Sequence, residues 1–323
     1  DGGSGRDGNV TIDDGQPPES PIPVNLSTTG FARNANVTLI GPDFVEMDVP
    51  SIGVSPGDEV LVITVRSSTF ANLGVREFHR VAAVERGRIR FEGSVQSIFG
   101  SGSNANLAGS RVMVQRVPNF ESFTLPKTES LTTTAVDAGG SGVIAFRVRQ
   151  TAQLFGPINV SGLGAPGTLI SGPRRSGRLV VGAGDFTRRG GGAVYIHAGR
   201  IQHAEGGVVD PITAINVAGA GSGSTYGPGG TIELGTGELS VGTGARAGDR
   251  FVYRAFGGTG VNVAGPAFNP GNASGEIRLT YGSITQDFSP IENVIPDPHF
   301  ALPFSGASFI FANVAEQCAI SPE

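Results

Sequence analysis

The 323-residue chain carries a formal net charge of −5, which leaves no general basic field for a phosphate backbone and excludes nucleic acid as a partner. No apolar run reaches the length of a membrane-spanning segment. Its 51 glycines sit among short Val and Ile runs rather than in polar tracts, so the composition requires folded β-structure with many tight turns and excludes a disordered glycine polymer.

The chain opens at Asp1 without a methionine, the start expected of a protein processed after secretion, and an extracellular or cell-surface location is expected from it. Residues 1–23 read as an extended N-terminal arm. They are polar and acidic, with one β-like run at Val10-Thr11-Ile12, followed by stiff Pro17-Pro18 and Pro21-Ile22-Pro23 segments that cannot enter a central strand. Asp7, Asn9, Thr11 and Asp13 alternate as the oxygens of calcium loops do. The central glycine and distal glutamate of such a loop are absent, which favours a solvated arm without metal.

Residues 24–124 change to alternating strands. Pro56-Gly57-Asp58 turns into a strand at 59–66, a strand at 78–85 pairs through Glu85-Arg86-Gly87 with one at 88–92, and a strand at 111–117 closes the set. These are the parts of a small antiparallel barrel or sandwich.

From 125 to 286 two short strand types recur between glycines. One begins at Gly142-Val143-Ile144, Gly192-Ala193-Val194, Gly230-Thr231-Ile232 and Gly275-Glu276-Ile277. The other reads Ile158-Asn159-Val160-Ser161-Gly162, Ile215-Asn216-Val217-Ala218-Gly219 and Val261-Asn262-Val263-Ala264-Gly265. Such recurrence with irregular insertions indicates a glycine-rich β-solenoid-like domain in which Gly162, Gly219 and Gly265 end equivalent strands; a sandwich with glycine-rich loops is the other arrangement. The expected class is therefore all-β, a small antiparallel barrel or sandwich followed by a solenoid-like region.

Residues 287–323 form an apolar C-terminal segment. Phe300, Phe304, Phe309 and Phe311 fall within twelve residues, with Ile310 and Val314 beside them, and such a segment must be buried in its own subunit or in another.

The run Val114-Gln115-Arg116-Val117-Pro118-Asn119-Phe120, then Leu131-Thr132-Thr133, Gly139-Gly140-Ser141-Gly142-Val143-Ile144-Ala145-Phe146-Arg147-Val148 and Ile158-Asn159-Val160-Ser161-Gly162, resembles a segment of glycine-rich secreted bacterial surface proteins. These are the surface proteins associated with gliding motility in myxobacteria. The resemblance covers about residues 111–167; Val136 stands where that pattern has a tryptophan, and Ala165-Pro166-Gly167 replaces a longer glycine run. It implies a surface location and β-solenoid rungs, and it supplies no catalytic residue.

Chemistry is sparse. No G-x-S-x-G stands among the glycines, and His79 and His197 lie in alternating strands as strand-face residues. Glu233, Glu238 and Glu276 are the carboxylates that a sugar-cleaving solenoid would use, each single in its strand. Cys318 is the one cysteine and cannot form an internal disulfide.

The expected function is a structural, self-assembling subunit of an extracellular bacterial fibre or surface layer, not an enzyme and without a cofactor. The partner is the chain itself, a homopolymer joined through Val10, Thr11 and Ile12 at one end and Phe300, Phe304, Phe309, Ile310, Phe311 and Val314 at the other. A surface polysaccharide is a second partner. The alternatives are a carbohydrate-binding or carbohydrate-cleaving solenoid and a receptor-binding adhesin.

Overall fold

The structure, a computed structural model, describes residues 3–13, 23–68, 72–100, 102–166, 178–184, 189–203, 215–217, 219, 221–222, 225–226, 229–241, 253–254, 275–285 and 308–313. Among these the chain is all-β, without a helix.

Six strands close an antiparallel barrel: β3 (Asn34–Ile40), β4 (Phe44–Met47), β5 (Glu59–Ser67), β6 (Arg76–Glu85), β7 (Arg88–Phe91) and β8 (Ser110–Val117), in the order β3-β4-β7-β6-β5-β8. The β6–β7 hairpin turns at Arg86-Gly87, where Gly87 takes a φ of 74° that a side chain would resist. β5 reads as an unbroken apolar run because both of its faces are buried. Val60 and Val62 point into the barrel, while Leu61, Ile63 and Val65 point out of it against the rest of the chain.

The rest is a stack of parallel strands. One sheet runs β1 (Asn9–Thr11), β10 (Ser122–Leu125), β12 (Val143–Leu154), β16 (Ala193–His203), β20 (Thr231–Val241), β22 (Glu276–Thr285), β23 (Ser308–Asn313), with β9 (Asn119–Phe120) beside β12. A second runs β2 (Val24–Asn25), β11 (Leu131–Thr132), β13 (Ile158–Asn159), β17 (Ile215–Asn216), β21 (Tyr253–Arg254). Two short pairs, β14 (Ala165–Pro166) with β15 (Ala183–Gly184) and β18 (Gly221–Ser222) with β19 (Thr225–Tyr226), complete the set.

The first sheet collects the strands that follow Gly142, Gly192, Gly230 and Gly275, and its register stacks Val143, Ala193, Thr231, Glu276 and Ser308 in one column. The second collects the Ile-Asn strands at 158 and 215. Their next neighbour is Tyr253-Arg254, while Val261–Gly265 lies outside the described residues.

Residues 9–11 and 24–25, read from sequence as part of an arm and the start of the barrel region, form β1 and β2, the first rung of the stack. The barrel strands are thus inserted between the first rung and the second. Pairs such as Val10↔Phe123 and Val24↔Leu131 span about a hundred residues, a separation that local pattern cannot register.

Glycine shapes the rungs through close approach. A Cβ at Gly192 would lie 2.9 Å from Val160 Cβ and 3.0 Å from Val160 O, and one at Gly230 would strike the carbonyl of Gly192. Glycine lets the backbones meet, with Gly192 N–H donating to Val160 O and Gly230 N–H to Val217 O, both at 2.8 Å. A second stack, Gly199, Gly237 and Gly282, stands where the register skips in the long strands and bends each into two legs.

The two legs and the second sheet enclose one apolar core. Phe120, Phe123 and Phe146 fill its first rungs, with ring centroids of Phe123 and Phe146 4.7 Å apart, and Val194, Ile196, Ile232, Leu234, Ile277 and Leu279 continue it. The first-rung end is closed by the loop after β2, where Leu26 and Ala32 are buried and Phe31 packs edge-on against Phe120 at 5.3 Å. A polar lid of this kind is what a solenoid end needs in water.

His203 ends β16 inside this core, with Nδ1 3.4 Å from Leu154 O. Burial pushes its pKa down to about 4, against a weaker upward pull from that carbonyl. The unfolded chain takes up the proton near the ordinary value of 6.5, so stability is complete above pH 6.5 and falls as pH drops towards 4, by about 3 kcal/mol. Replacing His203 by Leu should flatten urea-denaturation stability across that interval; an unchanged slope would assign the acid sensitivity to other groups.

Candidate functional site

The outer face of the first sheet is where chemistry concentrates, because the barrel docks there. Leu61, Ile63, Val65, Met113 and Val117 of the barrel pack on Val143, Ala145, Ala193 and Tyr195 of the stack. β12 therefore buries both faces, with Ile144, Phe146 and Val148 in the solenoid core.

Beside this apolar seam runs a ladder of charges and rings. Arg147 Nε donates to both oxygens of Glu59, at 3.0 and 2.9 Å. Its guanidinium lies over the Phe78 ring at 5.0 Å and the Tyr195 ring at 5.5 Å, and Arg76 reaches Tyr195 from 5.2 Å, so cations flank the ring pair. Arg76 Nη2 then donates to Glu233 Oε1 at 2.6 Å, Arg278 binds Glu233 Oε2, and Arg278 Nε donates to Glu276 Oε1 at 2.7 Å. His197 stacks on Tyr195 at 4.3 Å with its Nε2 3.8 Å from Glu233, and it has room because its neighbour across the sheet is Gly235, where a Cβ would lie 2.6 Å from the imidazole.

Burial alone would raise the pKa of Glu233, but His197, Arg76 and Arg278 outweigh it and hold the carboxylate at about 2. Glu276 is buried under Arg278, and Glu238 pairs with Arg200 at 3.2 Å. All three carboxylates singled out in the sequence are thus arginine-paired, and Glu233 is held ionised, the opposite of the raised pKa that a general acid for glycoside cleavage needs.

Asp7 of the acidic N-terminal stretch is committed to the protein as well. It accepts from Arg116 and, at 2.7 Å, from the backbone N–H of Asn119. Burial works against the Arg116 charge, yet Asp7 and Asp58 raise its pKa overall. His79, also in the barrel, stacks on Phe91 at 4.2 Å; burial lowers its pKa despite the 2.8 Å contact with Glu77.

The residues expected at joints are distributed as follows. Val10 and Thr11 lie in β1 beside Phe123 and Thr124 of the same chain, and Ile12 is buried with its N–H donating to Thr124 O at 2.9 Å. Phe309, Ile310 and Phe311 lie in β23, in register with Ile277, Arg278 and Leu279. Phe300, Phe304 and Val314 lie outside the described residues. Of the structural glycines, Gly162 has a φ of 68°, Gly219 is buried, and Gly265 lies outside the described residues.

Among the described residues, clefts open at two places relevant to the ladder and the lid. One of about 320 Å³ borders the ladder at Glu59, Phe78, His79 and Arg147; the other, about 350 Å³, lies where the barrel meets the first-rung lid. The Glu59–Arg147 pair was not anticipated from sequence, because its members stand 88 residues apart.

No protein-family model matches the chain, and no curated protein matches it. Two solved structures align with it. The tailspike gp61 of Pseudomonas phage phi297 is 12% identical, covering 87% of this chain and 56% of its own, with a TM-score of 0.20. The Gp54 tailspike of Acinetobacter baumannii bacteriophage AP22, solved in complex with A. baumannii capsular saccharide, is 13% identical, covering 78% of this chain and 45% of its own, with a TM-score of 0.20. The chain spans about half the length of these two tailspikes, and TM-scores so low transfer neither fold nor function.

Proposed function

We propose that this chain is a non-catalytic structural subunit of an extracellular bacterial fibre or surface layer, joined to copies of itself through its apolar C-terminal segment. The supporting observation is the position and register of the last described strand. The first rung is lidded by Leu26, Phe31 and Ala32, whereas the other end runs out to β23, the outermost described strand of its sheet. Phe309 and Phe311 stand in register with the core residues Ile277 and Leu279, so the parallel register of the stack continues to its last described strand. An edge strand offers unpaired N–H and C=O groups to a second chain, and its alternate side chains set the register of the joint. Val10-Thr11-Ile12 is the weaker joint, since β1 already pairs with β10 and Ile12 is buried. The paired state of Glu233, Glu238 and Glu276 supports the non-catalytic part of the reading, and the resemblance to secreted surface proteins supports the location.

Negative-stain imaging with light scattering tests the joint. Wild-type protein should form regular polymers, and F309S/F311S should remain monomeric with a melting temperature within about 3 °C of wild type, because fraying of a terminal rung stays local in a stacked fold. A wild type that is monomeric at every concentration, or a variant that polymerises equally well, overturns the joint. A large fall in the variant's monomer stability would assign the segment to the chain's own core instead.

A further inference from the structure

The cleft of about 350 Å³ lies where three parts of the chain meet: Ser27 and Thr28 from the lid, Arg33, Asn34 and Ser51 from the barrel side, and Thr134 from the solenoid. Its floor is wired in advance. Ser27 Oγ donates to Asn25 Oδ1 at 2.6 Å and stands 2.8 Å from Thr134 Oγ1, while Asn25 Nδ2 donates to Thr134 Oγ1 at 3.0 Å. The two hydroxyls are therefore fixed in place before any ligand arrives.

Arg33 is the one charged residue among those lining the cleft, and it is exposed. Among the described residues no carboxylate pairs with it, in contrast to Arg76, Arg116, Arg147 and Arg278. Its guanidinium passes over two left-handed glycines, Gly30 (φ 89°) and Gly53 (φ 72°); a Cβ at Gly30 would lie 3.9 Å from Nε, and one at Gly53 3.8 Å from Nη1. Two loops thus frame an arginine fork that has donors to spare.

These features select a ligand class. One cation matches one negative charge, which argues against di- and triphosphates. The lining holds no aromatic ring on which a base could stack. Fixed hydroxyls, an amide and an arginine fork suit a polyhydroxylated monocarboxylate, whose planar carboxylate takes two parallel N–H bonds. The volume lies at the lower end for small-molecule sites and suits one or two sugar units. We infer that this cleft binds a uronic-acid residue of an acidic polysaccharide, with Arg33 on the carboxylate and Ser27, Thr28, Ser51 and Thr134 facing the sugar hydroxyls.

Titration of the full chain with a galacturonic-acid trisaccharide and with a neutral glucose trisaccharide, followed by calorimetry and ligand-observed NMR, tests this. The acidic trisaccharide should bind and the neutral one should not. R33Q should weaken binding by at least about tenfold, as expected for loss of a charge-assisted fork, while R86Q, at an exposed arginine elsewhere, should leave it unchanged. Equal binding of the two sugars, full binding by R33Q, or no binding by wild type at millimolar sugar would each overturn the inference. F309S/F311S should bind as wild type does, so the outcome is independent of the polymer joint.

Discussion

Gly230→Val should cost the solenoid about 3 kcal/mol or more, and it should do so without touching the hydrophobic core. The reason is the corner at which one rung passes to the next. Gly230 N–H donates to Val217 O at 2.8 Å, its carbonyl accepts from Glu276 N at 3.0 Å, and its Cα faces the carbonyl of Gly192 one rung below. A Cβ there would also lie 2.7 Å from Gly192 C and 3.0 Å from Gly191 O, so the atoms met are backbone and cannot rotate away. Only separation of the rungs makes room, and that breaks the hydrogen bonds on both sides of the corner. Gly93→Ala is the control: nothing lies within 4 Å of the added carbon, and its effect should stay within about 0.5 kcal/mol. Urea denaturation of both variants measures the contrast. Equal stabilities would remove close backbone approach as the reason for glycine at the corners.

That corner is also where the sequence was most legible. The steric demand falls on one residue and repeats at Gly142, Gly192 and Gly230, so these glycines, with Gly275 before β22, announce the first sheet, and Ile158-Asn159 and Ile215-Asn216 announce the second. The β6–β7 hairpin was legible for a similar reason, since Gly87 sits in a two-residue turn that fixes its own register. The first rung was not. β1 and β2 have three and two residues, too few to show a period, and their partners lie beyond the inserted barrel. Tyr253-Arg254, which pairs with β17, carries no Ile-Asn signature and so was not legible either. The charge ladder was illegible altogether: Glu233, Arg76 and Arg278 each look like an ordinary outward residue in an alternating strand, and only docking of the barrel buries them together.

Glu233→Gln measures what that ladder contributes. The wild-type carboxylate is mostly buried, with Arg76 Nη2 at 2.6 Å and Arg278 on its other oxygen, so the amide leaves two guanidinium groups sharing the single counter-charge of Glu276, which pairs with Arg278 and not with Arg76. Removing one partner of such a cluster costs about 3 to 5 kcal/mol, and much of the loss should appear as weaker docking of the barrel, because Arg76 belongs to β6 and Glu233 to the stack. The pH dependence separates charge from packing. The folded pKa of Glu233 is depressed to about 2 from an ordinary 4.5, so its charge stabilises the fold fully above pH 4.5 and loses that effect as pH falls towards 2. The stability gap between wild type and variant should therefore be about 3 kcal/mol at pH 7 and shrink below pH 4.5, in an interval mostly lower than the one in which His203 acts. A gap of the same size at pH 7 and pH 3 would mean that the carboxylate acts by shape alone. A gap that closes would identify the ladder as the electrostatic clamp that fixes the barrel on the side of the solenoid.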